Sequence, residues 1–281
     1  MTDWQELDDP NGEGALPSDD PMVARAIPKL LQCFADNPEE AFYEGQLGVI
    51  FEREFFHWVT ARALKQLREA SQFGSDLQPL VGQTHIRFYF HRRNRFWRRK
   101  AQEVKKLVAT FSAQSFTEAL GRQGESMVDA GLPREGFLPL AHDVRTWNDH
   151  AWTETGHDLD RVFTRDGLVY GVEIKNRLSY ISQIEFQAKL RMCDHLGLLP
   201  LFIARIMPKS YILEVIKSGG FALILGFQLY PHAHRELAQI VRNRLRLPVD
   251  CPASLQDGTL QRLLNWHLQK LNRHRNKETA D

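Results

Sequence analysis

The sequence predicts an α/β protein in which a mixed β-sheet is flanked by helices, preceded by a smaller α+β domain. The first indication is a hairpin, because residues 158–175 form two runs of β-branched and aromatic residues around Asp166-Gly167, a dipeptide that type I′ turns prefer. The second is that residues 200–206 and 221–229 are almost continuously apolar, which is typical of strands covered on both faces. Segments with helical periodicity separate these strands, as an α/β fold requires.

Composition and cysteine usage limit what kind of protein this chain can be. Its 281 residues, of which 43% are hydrophobic and 25% charged, are ordinary for a globular protein and long enough for two modest domains. The net charge is only +1, so charged partners must be inferred from local clusters. Cys33, Cys193 and Cys251 are too scattered for a disulfide framework or a zinc site, and a reducing cytoplasm is the expected location.

The sequence carries no pattern for export or membrane insertion. Residues 1–20 are acidic and rich in Gly, Pro and Asp, and they are expected to form a disordered leader because they offer little to bury. No apolar run reaches the roughly 18 residues that suggest a membrane-spanning helix. No membrane partner is therefore expected.

Residues 21–110 are predicted to form a first domain with a helical start. Periodicity and chain breakers predict helices over 22–34, 40–52 and 55–70, then short strands over 78–81 and 85–90. Three short helices followed by a β-hairpin resemble the winged helix-turn-helix family, in which a later helix enters the DNA major groove. The resemblance implies DNA contacts from the polar face of the third helix, at Thr60, Arg62, Lys65, Gln66 and Arg68. A solvated helix face without DNA contact is the alternative.

The densest positive charge of the chain follows this hairpin, between His91 and Lys106. It includes Arg92, Arg93, Arg95, Arg98 and Arg99, interleaved with Phe96 and Trp97. Such a segment suits phosphate neutralisation and predicts salt-sensitive nucleic-acid binding, whereas a basic linker helix is the alternative. We expect a connecting helix over 91–112 and a domain boundary near residue 110.

Residues 111–281 are predicted to form the larger domain. Ser115 to Glu118 is a capping-box pattern, and Gly131 follows the last residue of the helix that it opens. The other expected elements are a strand over 137–140, a polar loop over 141–156, helices over 184–196, 210–217, 231–247 and 258–275, and the strands already named. Side chains near the polar loop that could reach a substrate are His142, Asp143, Trp147, Asn148, His150, Trp152 and His157.

The hairpin brings acidic residues of its two strands together. If Asp166-Gly167 is the turn, Asp160 lies opposite Glu173 and Asp158 lies opposite Lys175, and all four side chains share one face. Like charges directly opposite on a sheet are unfavourable, so this arrangement calls for a cation. Hard oxygen ligands suit Mg²⁺, and an adjacent lysine can orient or deprotonate a water. The alternative is a solvated strand face with a Lys175–Asp160 ion pair.

Asp160 together with Glu173-Ile174-Lys175 resembles the Asp…Glu-x-Lys signature of the PD-(D/E)xK nuclease superfamily, whose members have the restriction-endonuclease-like fold. The resemblance covers roughly residues 115–230, and the order of the predicted elements agrees with it. It implies that Asp160 and Glu173 bind Mg²⁺ or Mn²⁺, that Asp158 assists, and that Lys175 positions or activates the attacking water. It also implies an acidic metal ligand on the preceding helix, for which Glu125 is chosen over Glu118 and Asp129.

The resemblance further implies a metal-dependent DNA endonuclease of restriction and defence or of DNA repair, with a homodimer as the expected assembly. Asn176 and Arg177, just after the signature, are expected to contact a phosphate. The alternative is a DNA-binding regulator or structural subunit with an inactive nuclease-like domain, and RNA or branched DNA are alternative substrates. No nucleotide cofactor is expected, because Gly121-Arg122-Gln123-Gly124 lies within a helix and lacks the P-loop Lys-Ser/Thr.

Overall fold

The computed structural model describes residues 20–80 and 84–278. The chain folds into two compact units: the first extends to Glu118 and includes Gln239–Pro248, and the second consists of Ala119–Ala238 and the residues from Val249 onward. We expected a single domain boundary near residue 110. The structure places the first change of unit after Glu118, and residues 239–248 belong again to the first unit. The predicted leader lies outside the described residues except for Asp20, whose Oδ1 accepts a hydrogen bond from the Met22 amide and caps the first helix.

The first unit begins with helices and continues with a hairpin. Its elements are α1 Pro21–Asp36, β1 Ala41–Tyr43, α2 Glu44–Phe51, α3 His57–Glu69, β2 Gly74–Pro79, β3 His85–Phe90 and α4 Trp97–Phe111. The apolar face of α1 packs against α3, and Leu30, Phe34, Val59 and Ala63 are among the residues buried there. The strands form an antiparallel sheet in the order β1-β3-β2.

The three helices and the hairpin of this unit are confirmed, with three corrections. The first hairpin strand, expected over 78–81, is β2 at Gly74–Pro79. The predicted second helix begins later, because residues 41–43 pair with β3 as a strand. The predicted helix over 91–112 begins only at Trp97, since residues 91–96 form a turn. The tip of the hairpin, 81–83, lies outside the described residues.

The second unit is built around the predicted hairpin. Its elements are α5 Gln114–Gly131, β4 Leu138–Val144, β5 Thr146–Trp147, β6 His150–Ala151, β7 Leu159–Arg165, β8 Leu168–Lys175, α6 Gln183–His195, β9 Leu199–Ala204, α7 Lys209–Lys217, β10 Phe221–Ile224, β11 Gln228–Leu229, α8 Arg235–Leu245, β12 Val249–Asp250 and α9 Asp257–Glu278. The first residues of α5 and the C-terminal half of α8 belong to the first unit. Because α5 starts at Gln114, Ser115 lies inside the helix and is not its N-cap, contrary to the capping-box prediction.

The central sheet of the second unit has five strands in the order β10-β9-β8-β7-β4. The strands β8, β9 and β10 run parallel, whereas β4, β7 and β8 pair antiparallel, so the predicted mixed sheet is confirmed. Helices α5 and α9 cover one face of the sheet, and α6 and α7 pack on the other. No helix within the described ranges is both long enough and apolar enough to cross a membrane.

The turn of the β7–β8 hairpin has the predicted geometry. Asp166 and Gly167 have φ values of 50° and 79°, as a type I′ turn requires, and Arg165 pairs with Leu168. Helix α9 fixes this turn, because the buried His267 contacts the Tyr170 hydroxyl at 2.7 Å through Nδ1 and the Asp166 carboxylate at 2.9 Å through Nε2. The hairpin is therefore held from its turn to the end of its ladder at Arg161 and Val172.

Two further predictions needed correction. Residues 141–156, expected to be loop, contain the end of β4 and the small β5–β6 hairpin. The apolar run 221–229 is not one strand, since β10 ends at Ile224 and Gly226 adopts a φ of 84° before β11 begins. An apolar run alone does not locate such a break.

Candidate functional site

Asp160 and Arg161 leave β7 on opposite faces of the sheet. Val162, two residues beyond Asp160, packs with Met192 and Cys193 of α6, so Asp160 shares the face covered by that helix. Arg161 instead reaches α5. Asp160 Oδ2 accepts a hydrogen bond of 2.6 Å from the Ile174 amide, which ties it to β8 beside Glu173.

Glu173 is the centre of the charges on the α6 face. Its side chain is only 1% exposed. Oε1 lies 2.6 Å from Lys175 Nζ, and Oε2 lies 2.5 Å from Nζ of Lys189, a residue of α6. Lys175 Nζ also lies 2.8 Å from Oε1 of Glu185, one helical turn before Lys189. The second lysine and the second glutamate therefore come from α6.

Asp158 lies at the edge of this group. Its carbonyl oxygen accepts a hydrogen bond from Lys189, and its Oδ1 is 4.0 Å from Lys189 Nζ, with the side chain about half exposed. We call the six residues the charged cluster: Asp158, Asp160, Glu173, Lys175, Glu185 and Lys189. Four carboxylates and two ammonium groups leave two negative charges (four minus two) when Glu173 is ionised, and Arg177, which acts electrostatically on Lys175 and Glu185, offsets one of them.

Burial and neighbouring charges change the protonation behaviour of the cluster. Burial raises the pKa of Glu173 to about 7, with Asp160 adding to the rise and the two lysines opposing it. Burial alone would lower the pKa of Lys175, but Glu173, Glu185 and Asp160 outweigh it and hold that pKa above its usual value. Although burial opposes it, the attraction of Lys175 lowers the pKa of Glu185. Lys175 is therefore an ammonium group near neutral pH.

A glycine lets α6 approach the sheet closely at this point. A Cβ atom on Gly171 would lie 2.9 Å from the sulfur of Cys193 and 2.8 Å from Leu159 Cδ1. Both distances are shorter than real carbon contacts allow. The absence of a side chain at position 171 thus permits the packing that brings Lys189 to Glu173.

Glu125, expected to be an additional metal ligand, is not brought to the charged cluster. Its Oε2 accepts a hydrogen bond of 3.0 Å from Arg161, which also donates to Asp129. Arg161 follows Asp160 directly in an extended strand, so Glu125 lies on the opposite face of the sheet from Asp160 and Glu173. The sequence correctly predicted the helix that carries Glu125, but it did not indicate which face of the sheet this helix covers.

Asn176 was expected to contact a phosphate, but its side chain forms hydrogen bonds inside the protein. The side chain is buried, and its Nδ2 donates to the carbonyl oxygens of Leu120 and Leu229, each at 2.7 Å. Its Oδ1 accepts from the Leu229 amide at 2.6 Å. The close approach of α5 depends on Gly124, where a Cβ would lie 2.7 Å from Asn176 Cβ. The side-chain amide of Asn176 thus forms its hydrogen bonds with backbone groups of its own unit.

The expected DNA-contact residues of α3 divide between its two faces. Thr60 is buried against the helical core, which removes it from any external surface. Lys65 is exposed, whereas Gln66 and Arg68 are half-buried. The guanidinium of the half-buried Arg62 lies 5.0 Å from the centre of the Trp58 ring. By contrast, all five arginines between 92 and 99 are exposed.

The polar residues from the end of β4 to the start of β7 mostly make local contacts. Trp152 is buried and donates to Thr155, and His157 Nδ1 also lies against Thr155. His142 and Asp143 are exposed and pair with each other at 2.9 Å. The exposed His150 packs edge-on against His195. Trp147 is half-buried and Asn148 exposed.

Lys189 and Glu185 were missed by the sequence reasoning. The signal was present, because Glu185 and Lys189 are four residues apart on the helix that follows Lys175, a spacing that places them on one face. That face otherwise carries buried apolar residues such as Phe186 and Met192. A charged pair inside an apolar stripe indicates a buried partner.

Comparison of the chain with models of protein families, with curated proteins and with solved structures found no match. Within residues 20–80 and 84–278, no group of three or more His, Cys, Asp or Glu side chains is arranged to hold a metal ion. Asp160 and Glu173 are the two carboxylates that face α6 side by side and could share one. The functional assignment therefore depends on the chemistry of the charged cluster.

Proposed function

We propose that this chain is a Mg²⁺- or Mn²⁺-dependent DNA endonuclease, a hydrolase acting on phosphodiester bonds. The observation that carries the proposal is the meeting of Asp160, Glu173 and Lys175 on one face of the sheet, within a cluster that keeps an excess of negative charge. Two carboxylates plus water are a usual ligand set for Mg²⁺. We also assign the second unit to the restriction-endonuclease-like fold and the first to the winged-helix class.

The residues of the cluster fit a divalent cation, since Asp160 and Glu173 supply oxygen ligands and the surplus charge remains to be neutralised. A bound Mg²⁺ would polarise the phosphate and lower the pKa of a bound water. Because its pKa is raised, Lys175 acts as a cation that orients water and offsets charge on the phosphate, not as the base. In the reaction, the water oxygen forms a bond to phosphorus, a bridging P–O bond breaks, and the leaving oxygen takes up a proton while the water loses one to solvent.

The first unit supports DNA as the substrate. The exposed arginines between 92 and 99 provide positive charge for a phosphate backbone, and Lys65 adds one exposed charge on α3. Restriction of foreign DNA or DNA repair are the settings that suit such an enzyme. A homodimer suits double-strand cleavage by a chain with one site, and a reducing cytoplasm suits its three free cysteines.

A second function is favoured by one specific observation. Both carboxylate oxygens of Glu173 already face ammonium groups, those of Lys175 and Lys189. If these ion pairs persist in the presence of divalent metal, the cluster is a structural element and the chain is a DNA-binding regulator or structural subunit with an inactive nuclease-like domain.

Incubation of purified protein with plasmid and linear DNA separates the two functions. We expect nicking or cleavage with Mg²⁺ or Mn²⁺, none with EDTA, and loss of cleavage with retained DNA binding in Lys175→Ala and Asp160→Ala. Asp194→Asn is the matched control, because Asp194 is an exposed residue of α6. DNA binding without metal-dependent cleavage, or equal cleavage by Lys175→Ala and the wild type, would favour the regulator.

A further inference from the structure

The turn before α4 and the first residues of that helix present positive charge that no carboxylate of the described residues pairs with. Arg92, Arg93, Arg95, Arg98 and Arg99 are all exposed. Among the described residues, none of the five lies within ion-pair distance of a carboxylate. Elsewhere in the chain, Arg161, Arg191 and Arg244 each pair with an acidic side chain. We call these five arginines, together with Phe96, the basic turn.

The backbone of the basic turn is fixed by a buried asparagine. Asn94 is 8% exposed, and its Nδ2 donates to the Glu40 carbonyl oxygen at 3.2 Å. Its Oδ1 accepts from the Phe96 amide at 2.9 Å, and its own amide donates to the His91 carbonyl oxygen at 2.8 Å. The basic turn is therefore held in one shape, which reduces the entropy lost when a ligand binds.

The two aromatic residues of the turn have opposite environments. Trp97 stacks on Phe90, with 4.1 Å between ring centres and 5° between planes, and Arg98 lies 4.8 Å from its ring centre. Phe96 is instead 66% exposed, and Arg99 lies 5.5 Å from its ring centre. A single exposed apolar residue is ordinary. Phe96 differs because it stands among five exposed cations, none of which pairs with a carboxylate of the described residues.

We propose that the basic turn binds single-stranded DNA, with Phe96 stacked on an unpaired base and the arginines on the neighbouring phosphates. An exposed aromatic ring within a basic surface is the combination that binds single strands, since any unpaired base offers a π-face. Bases within a duplex are stacked on one another and do not offer that face. The inference takes DNA as the ligand from the proposed function, and it makes DNA with an overhang, flap or gap the preferred substrate.

The test measures binding of the full-length protein to a fluorescently labelled 20-nucleotide strand and to a 20-base-pair duplex, in EDTA so that cleavage does not interfere. We expect the strand to bind more tightly than the duplex. Phe96→Ala should weaken binding of the strand by about 5- to 150-fold, and that of the duplex by less than about 2-fold. Phe96→Tyr, which keeps a ring, should restore binding. Leu77→Ala, which removes another exposed apolar side chain of the same unit, is the matched control and should bind as the wild type does.

Four outcomes would overturn the inference: no effect of Phe96→Ala on the strand, an equal loss for strand and duplex, tighter binding of an RNA strand of the same sequence, or Phe96-dependent binding to phosphatidylserine vesicles without binding to the strand. The proposed function fails separately. Binding of the strand through Phe96 without any metal-dependent cleavage would retain the inference and reject the nuclease, whereas cleavage without a Phe96 effect would do the reverse.

Discussion

The charged cluster and the basic turn both concentrate charge, but their charges are stabilised in opposite ways. In the cluster, Glu173 and Lys189 are almost completely buried, and each faces opposite charge at short range. In the basic turn, the arginines are exposed and face no carboxylate among the described residues. Ionised groups tolerate burial only with partners, whereas exposed charges are stabilised by water.

This difference suits the two regions to the different roles that we propose for them. Charges fixed by pairing and burial keep defined distances, as chemistry on a small reacting group requires. Charges left exposed contribute little to the stability of the fold and remain available to an external anion. Substitutions should therefore affect stability and catalysis in the first region, and binding and its salt dependence in the second.

The largest expected effect on stability is at Lys189. Lys189→Met keeps the length of the side chain but leaves the buried Glu173 carboxylate with one ammonium partner fewer, so we expect a loss of about 3–5 kcal/mol in the free energy of unfolding at pH 8. Chemical denaturation measures it. Arg191→Met on the same helix is the control, because its ion pair with Glu154 is exposed and should contribute less than about 1 kcal/mol. Equal losses for the two variants would contradict the distinction between buried and exposed charges.

The largest expected effect on activity is at Asp160. Asp160→Asn keeps an acceptor for the Ile174 amide but removes a charged oxygen from the proposed metal site, so we expect cleavage to fall on the order of 100-fold or more. DNA binding should change little. Initial rates of plasmid nicking at saturating Mg²⁺ measure the effect. Glu125→Gln, on the other face of the sheet, should retain cleavage, and a loss as large as that of Asp160→Asn would place Glu125 in the site after all.

The stability of the metal-free protein should depend on pH through Glu173. Its folded-state pKa of about 7 lies above the unfolded value, so the folded state holds this proton more tightly. The resulting stabilisation is present below about pH 4.3, the unfolded value, and is lost as the pH rises through about 7. Relative to Glu173→Gln, which does not titrate, the wild type should lose about 1–3 kcal/mol of unfolding free energy between pH 4.5 and 8. If the unfolding free energy of the wild type relative to Glu173→Gln stays constant or rises from pH 4.5 to 8, burial does not raise the pKa of Glu173 in the folded state.

The smallest expected effect concerns the salt dependence of binding by the basic turn. Replacement of Arg93 and Arg95 by alanine should reduce the slope of log K against log salt by about 0.7 for each phosphate of a single strand that the arginines neutralise. The free energy of unfolding should change by no more than about 0.5 kcal/mol. Binding titrations at several salt concentrations measure the slope. An unchanged slope would show that these arginines do not bind phosphates.

The features predicted correctly from sequence are those that neighbouring residues determine. The hairpin follows from the φ requirement at Asp166-Gly167 and from side-chain alternation. Its predicted register holds from Arg165–Leu168 to Arg161–Val172, and the ladder ends before the expected pairs Asp160–Glu173 and Asp158–Lys175. The helix α1 likewise follows from its apolar period and from the cap at Asp20. Each signal lies within the element that it specifies.

The errors come from contacts between residues distant in sequence. Thr60 looked like a surface residue but is buried, and Glu125 was assigned to the wrong side of the sheet relative to Asp160. Phe96 and Trp97 are adjacent and similar in sequence, yet Trp97 packs on Phe90 and Phe96 does not. Helical and strand periods identify a face without identifying the partner that covers it.

By itself, the sequence determined the α/β order of elements, the type I′ turn, and the placement of Asp160, Glu173 and Lys175 on one side of two paired strands. These properties depend on backbone sterics and on the period of two in a strand, which act over a few residues. Only the tertiary structure decided that α6 brings Glu185 and Lys189 to Glu173, and that residues 239–248 belong to the first unit. Which helix packs on which face depends on the burial of apolar area over the whole unit, a property that no local stretch of the chain contains.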